Sequence, residues 1–157
     1  MKHIVKSSDD YSECTGCSSC EMMCALFHDG AVGPELNRIY VDPAPFKYVH
    51  YEIYTCEQCD DTPCFDACPK KGSAMYKDDR GIVCINEDEC IGCGVCQRAC
   101  KLEPSRINLV KTKDKALRKA KKCDLCKDRK EGPICIEQCP AQCLAISDNT
   151  PWDEEVE

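Results

Sequence analysis

Sixteen of the eighteen cysteines in this 157-residue chain fall into four tight sets. The first is Cys14-x2-Cys17-x2-Cys20-x3-Cys24, and the third repeats it as Cys90-x2-Cys93-x2-Cys96-x3-Cys100. The second is Cys56-x2-Cys59-x4-Cys64-x3-Cys68-Pro69, and the fourth is Cys123-x2-Cys126-x8-Cys135-x3-Cys139-Pro140. One short unit is thus used four times. Cysteine makes up about 11 % of the residues, above the roughly 8–10 % that marks a cysteine-dependent scaffold. Large apolar side chains are scarce, with one Trp and three Phe. A chain so poor in apolar bulk struggles to close a conventional core, so disulfides, metals or inorganic clusters must hold it.

Disulfides are disfavoured. Residues 1–10 carry no apolar run of signal-peptide length and no twin-arginine signal, and no stretch approaches the roughly 20 apolar residues of a membrane span. The expected compartment is the cytoplasm, where clustered thiols stay reduced and point to metal or catalysis. Export alongside a partner stays open, whereas direct membrane insertion is not expected. The formal net charge of −7 argues against a nucleic-acid partner. The charge is uneven: residues 101–130 hold twelve Lys/Arg against four acids, with no aromatic residue for base stacking. A solvated, docking or cluster-shielding surface suits this block better.

A Cys-x2-Cys-x2-Cys run wraps one small object, presenting three thiolates at three corners. The fourth corner needs a ligand from elsewhere. In two-cluster ferredoxins it comes from the fourth Cys of the other run, often followed by Pro. Zinc would be met by paired Cys-x2-Cys knuckles across a long spacer. Cys56/Cys59 or Cys123/Cys126 alone would fit that pattern, but the two complete Cys-x2-Cys-x2-Cys-x3-Cys runs do not. Sixteen thiolates at four per cubane give four [4Fe–4S] clusters. The second and third sets flank one hairpin and should pair. Their ligand sets are Cys56, Cys59, Cys64 with Cys100, and Cys90, Cys93, Cys96 with Cys68. The first and fourth sets pair around them, as Cys14, Cys17, Cys20 with Cys139, and Cys123, Cys126, Cys135 with Cys24. Cys84 and Cys143 fit no set and read as buried core thiols. His3, His28 and His50 have no ligand spacing, and Met22 and Met23 read as packing against a cluster.

The expected fold class is α+β, built of tandem, nested bacterial ferredoxin-like units with short strands and helices. An inner unit over 49–110 would be inserted in an outer unit of 1–48 plus 111–147, followed by an acidic arm, 148–157. Strands are expected at 38–41, 49–54 and 107–110, and a hairpin at 75–85 turning at Asp78-Asp79-Arg80-Gly81. Helices are expected at 19–27, 97–101 and 134–138, with a helical turn at 114–122. No paired general acid and base, Gly-rich phosphate loop or activated nucleophile is visible, so no catalytic residue is expected.

The arrangement resembles the four-cluster ferredoxin subunits of complex oxidoreductases over roughly residues 2–147. That family includes the electron-transfer subunits of dimethyl sulfoxide reductase and of formate- or hydrogenase-linked complexes. The stretch from Cys20-Glu21-Met22-Met23-Cys24-Ala25-Leu26-Phe27-His28-Asp29-Gly30 through Asn37-Arg38-Ile39 is similar to the small ferredoxin partners of tungsten enzymes in the aldehyde ferredoxin oxidoreductase family, of the aldehyde oxidoreductase or benzoyl-CoA reductase type. The short x8 spacer between Cys126 and Cys135 suits such a compact version. Two positions depart from the ferredoxin pattern: Ala25 follows Cys24 and Lys101 follows Cys100, where Pro follows the other two. The resemblance implies a non-catalytic, anaerobic electron wire serving a large tungsten-pterin catalytic subunit. A flavin or other electron-input subunit would be a further partner. The alternatives are the equivalent subunit of a molybdenum, formate, hydrogenase or carbon monoxide dehydrogenase complex, and a freestanding polyferredoxin.

Overall fold

The structure is a computed structural model and describes residues 2–7, 13–43, 51–112 and 117–147. The acidic arm 148–157, the lysines at 113 and 115 and the start of the expected 49–54 strand lie outside these residues. In chain order the elements are β1 (Ile4–Lys6), α1 (Ser19–Asp29), β2 (Tyr40–Pro43), β3 (Tyr51–Tyr54), α2 (Pro63–Asp66), β4 (Met75–Lys77), β5 (Val83–Ile85), α3 (Val95–Ala99), β6 (Ile107–Lys111), β7 (Arg118–Lys122), α4 (Ile134–Glu137) and β8 (Leu144–Ile146). The strands form four two-stranded antiparallel sheets. Short strands and helices joined by Cys-bearing loops make this a ferredoxin-like fold.

The chain divides into two compact units, one over residues 58–124 and one of residues 2–57 with 125–157. The 58–124 unit holds two hairpins and two single-turn helices. In the first hairpin Asp78 makes the turn, its Oδ1 accepting the backbone N–H groups of Arg80 and Ile82. Gly81 supplies the positive φ of 79° that closes it. The second hairpin pairs β6 with β7, Leu109 opposite Ala120. Met75, Val83, Cys96, Ile107 and Ala120 form the buried centre, with Cys64, Phe65, Cys68, Ile85, Cys90 and Leu109 packed on it. Cysteines at predicted ligand positions therefore supply a large share of this core.

β7 corrects the helical turn expected at 114–122 over residues 118–122, while 114–116 lie outside the described residues. Its sequence, Arg118-Lys119-Ala120-Lys121-Lys122, has no β-branched or aromatic residue, so propensity gave no strand signal. The ladder to β6 and burial of its second half decide the conformation instead. Lys121 and Lys122 are buried at 7 % and 4 % exposure, so this end of the basic block is not a solvated face. Lys121 Nζ meets Glu87 at 2.9 Å, and Lys122 Nζ donates to the carbonyls of Val83 and Cys123. Gln58, 1 % exposed, donates to the Cys123 carbonyl and accepts from Val83 N–H.

The other unit closes on the β1–β8 pair, with Val5 opposite Ala145. The hydrogen bonds Ser7 N–H to Cys143 and Ser147 N–H to His3 extend the pairing at both ends. α1 packs on α4 and ends at Gly30, whose positive φ of 64° lets its N–H cap Leu26. The Asn37-Arg38-Ile39 segment is buried. It is tied to α1, since Asn37 Nδ2 bonds Glu21 and Arg38 forms a 2.8 Å ion pair with Asp29.

Candidate metal centres

In the 58–124 unit, Cys68, Cys90, Cys93 and Cys96 line one small cavity, otherwise walled mainly by apolar residues such as Met75, Ile85, Ile91 and Ala120. Cys90 and Cys93 come from the loop entering α3, Cys96 lies in that helix, and Cys68 follows α2. The loop takes its shape from Gly92 and Gly94, with φ of 67° and 73°. A Cβ on Gly92 would lie 2.0 Å from the Arg118 carbonyl oxygen, so the loop presses directly on β7. From that strand the Ala120 N–H donates to Cys90 Sγ at 3.4 Å, and Lys119 Nζ donates to the Cys90 carbonyl at 2.7 Å. An amide aimed at a ligand sulfur stabilises its thiolate form. As a free thiol, Cys96 is pushed up to about 11 by burial and by the neighbouring Cys90, Cys68 and Cys64.

A second small cavity lies in the other unit and is lined by Cys14, Cys17, Cys20 and Cys139, with Cys143, Val41, Ile53 and Leu144. Here Gly16, at φ 69°, passes so close to the Tyr51 ring that a Cβ would sit 2.3 Å from it. Cys17 is exposed, and the Ser19 hydroxyl beside it holds its thiol below the usual value. Cys20 is buried, and that burial, with Glu21, Cys14 and Cys139, raises its thiol to about 12.

The same unit brings Cys24, Cys126 and Cys135 together, all buried. Burial first, then Cys126, Cys24 and Cys20, raises the Cys135 thiol well above its usual value. Arg38 N–H donates to Cys24 Sγ at 3.4 Å, and His28 Nε2 stands 3.6 Å from Cys126 Sγ. His28 therefore touches a predicted ligand, a placement its spacing did not reveal. Cys64 lies on α2 and Cys100 caps α3, and these two helices pack together. A Lys101–Asp61 ion pair at 2.7 Å ties the residue after Cys100 to the loop after Cys59. Cys56 and Cys123 are both 7 % exposed and lie where the chain passes from one unit to the other.

None of the eighteen cysteines is in a disulfide. Cys84 is fully buried in β5, as expected of a core thiol. Cys143 is 2 % exposed, but the core reading missed its neighbours, since its sulfur lies 3.4 Å from Cys139 Sγ and lines the second cavity. Met22, read as packing on a cluster, is 45 % exposed on α1.

The donor set fits a thiolate-bound iron–sulfur group. Both cavities are lined by soft sulfur donors with no His, Asp or Glu among the lining residues.

Comparison with known proteins agrees. The 4Fe–4S dicluster domain family matches residues 47–149. The "Electron transport protein HydN" of Escherichia coli K12 is 34 % identical over 92 % of this chain and 89 % of its own length. A subunit of the anaerobic dimethyl sulfoxide reductase of the same organism is 35 % identical over 92 % of this chain and 72 % of its own. A probable anaerobic dimethyl sulfoxide reductase subunit, YnfG, again from that organism, is 37 % identical over 86 % and 69 %. Among solved structures, one component of the "Active site complex BamBC of Benzoyl Coenzyme A reductase" aligns over 94 % of this chain and 81 % of its own at 25 % identity, with a TM-score of 0.44. The chain belongs to the 4Fe–4S dicluster domain family and is an iron–sulfur protein built on its ferredoxin-like fold.

Proposed function

We propose that this chain is a non-catalytic electron-transfer subunit of a multi-subunit oxidoreductase, carrying four [4Fe–4S] clusters in a cytoplasmic complex. The observation that carries the reading is the composition of the two cavities. Each joins three thiols of one run to a fourth from a different run: Cys68 beside Cys90, Cys93 and Cys96, and Cys139 beside Cys14, Cys17 and Cys20. This is the cross-ligation of two-cluster ferredoxins. The same rule assigns Cys56, Cys59, Cys64 and Cys100 to a third cluster, and Cys123, Cys126, Cys135 and Cys24 to a fourth. A continuous compact unit at 58–124 between two outer segments supports a nested pair of ferredoxin-like units.

A four-thiolate cubane supplies one-electron exchange and offers no open iron for bond chemistry. The chain's residues hold the clusters, shield them with apolar walls and donate N–H groups to their sulfurs. Among the described residues no helix is long and apolar enough to cross a membrane. The electron-transport relative suits a relay, with substrate chemistry on a large partner subunit and a flavin or other input subunit as the donor or acceptor. The likeness of residues 20–39 to the small partners of tungsten enzymes favours a tungsten-pterin catalytic subunit. The dimethyl sulfoxide reductase relatives favour the second reading, the equivalent subunit of another oxidoreductase complex, of the molybdenum, formate, hydrogenase or carbon monoxide dehydrogenase kind.

Metal analysis of the native complex tests all of this. The expected result is about 16 Fe per chain, by four thiolates per cubane, with tungsten in the co-purifying partner. Molybdenum in its place favours the second reading, and an intact chain that purifies alone with full iron removes the partner. Any of the sixteen named cysteines open to alkylation in a fully loaded preparation breaks the four-cluster count.

The buried Lys122 gives a further expectation. It precedes Cys123 and is 4 % exposed, so its charge is poorly screened. A nearby cation favours the reduced, more negative cluster. Lys122→Met should lower the potential of the cluster ligated by Cys123 by tens of millivolts, the size that about 1 kcal/mol gives a one-electron couple. Potentiometric titration followed by EPR checks it, and unchanged potentials in a fully loaded variant refute it. Lys119→Met and Lys121→Met probe the same block, with Lys121 already paired to Glu87.

A further inference from the structure

A cubane takes four thiolates, yet the cavity beside Cys139 is lined by five cysteines. Three belong to the run that enters α1, and two, Cys139 and Cys143, follow α4 four residues apart. The turn between them explains their proximity. Gln142 N–H bonds the Cys139 carbonyl at 3.1 Å, and Gln142 takes a left-handed φ of 49°. The chain doubles back and sets the two sulfurs 3.4 Å apart. Cys143 also interacts with Cys14, a ligand from the first run. Its backbone is fixed by the Ser7 hydrogen bond to its carbonyl and by the start of β8, and the residue is 2 % exposed. Solvent therefore does not compete for this thiol. A purely structural thiol has no need to face the ligand set. Cys84 shows the contrast: it is equally buried, but its sulfur contacts the Ile82 carbonyl and does not line this cavity.

We propose that Cys143 is a reserve ligand for the iron corner held by Cys139, a role that rests on the cluster assignment given under Proposed function. In the exchange the Cys139 Sγ–Fe bond breaks and a Cys143 Sγ–Fe bond forms. The proton on Cys143 passes to the departing Cys139 sulfur across their contact. No electron is gained or lost, and the site keeps four thiolates throughout. With Cys139 alkylated, the Cys143 proton goes to solvent instead and a cubane stays in place, where an ordinary site would lose its corner iron and become a three-iron cluster.

The test compares Cys139→Ala, Cys143→Ala and the double variant in the full chain, reconstituted anaerobically with iron and sulfide. Mild oxidation followed by EPR counts three-iron clusters. Cys139→Ala and Cys143→Ala should each keep wild-type iron and show almost no three-iron signal. The double variant should show about one such spin per chain, since one cubane then lacks its fourth thiolate. A full three-iron signal in Cys139→Ala, or failure of that variant to load iron when Cys143→Ala loads normally, overturns the proposal. Wild-type protein with fewer than four cubanes overturns the cluster assignment and this proposal with it. Four cubanes in the wild type, with a three-iron signal in Cys139→Ala, overturn the reserve ligand alone.

Discussion

Anaerobic chelation of iron should abolish cooperative tertiary structure across the chain. Among the described residues, the buried cluster of the 58–124 unit has Met75, Val83 and Ile107 as its large aliphatic side chains, and Cys96 within it and Cys64, Cys68 and Cys90 packed on it are predicted ligands. Emptying the Cys68/Cys90/Cys93/Cys96 cavity would leave four facing thiols and their apolar walls without the group they pack around. The free energy of binding at such a site is folding free energy. A domain's whole stability is only about 5–15 kcal/mol, so the unit should lose its fold with its iron. The measurement is near-ultraviolet circular dichroism with amide hydrogen exchange, before and after chelation. A cooperative melt and native exchange protection in the iron-free protein would show that the side chains alone suffice, contrary to this account.

Gly92→Ala should empty that cavity while sparing the rest. A left-handed φ costs an ordinary residue about 1–2 kcal/mol. The new methyl would also meet the Arg118 carbonyl oxygen at 2.0 Å, a backbone atom locked in the β6–β7 ladder. Either the loop lifts or β7 shifts, and both break the Ala120 N–H to Cys90 Sγ bond. Iron should fall by about a quarter, one cubane of the four. Gly81→Ala is the control, because it has a similar φ of 79° with open space around it and should cost only the backbone strain. Equal iron in the two variants would mean that the contact with β7 does not hold the loop.

Much of this was legible because thiol spacing is read without knowing the fold. Cys90-x2-Cys93-x2-Cys96 demands a loop around one object, and the structure provides one, with Cys68 alongside. The 75–85 hairpin and the helix from Ser19 were visible for local reasons, an Asp-to-Gly turn and a run of helix formers ended by Gly30. What escaped was set by distant partners. β1 and β8 are three residues each and acquire strand geometry from one another across the length of the chain. α2 is one turn within a Cys run, too short for any periodicity. β7 is lysine-rich and reads as surface until Glu87 and two carbonyls are found around its side chains. His28 and Cys143 carry no spacing signal at all, because their contacts with the sulfurs of Cys126 and Cys139 arise only after the chain has folded.

The β1–β8 pairing sets a timetable for synthesis. A ribosome adds roughly 5–20 residues per second, so the Cys14–Cys20 loop waits on the order of ten seconds before Cys139 and its flanking strand are made. The 58–124 stretch is translated whole during that interval, with both hairpins and Cys68, Cys90, Cys93 and Cys96 in place. Under the ligand sets proposed above, iron delivery to a growing chain is staged, the cavity of the 58–124 unit first and the one completed by Cys139 last. A chain released early, before Cys139, would carry exposed thiols at its start with no partner to receive them, an open target for oxidants and for the proteases that clear unfinished proteins.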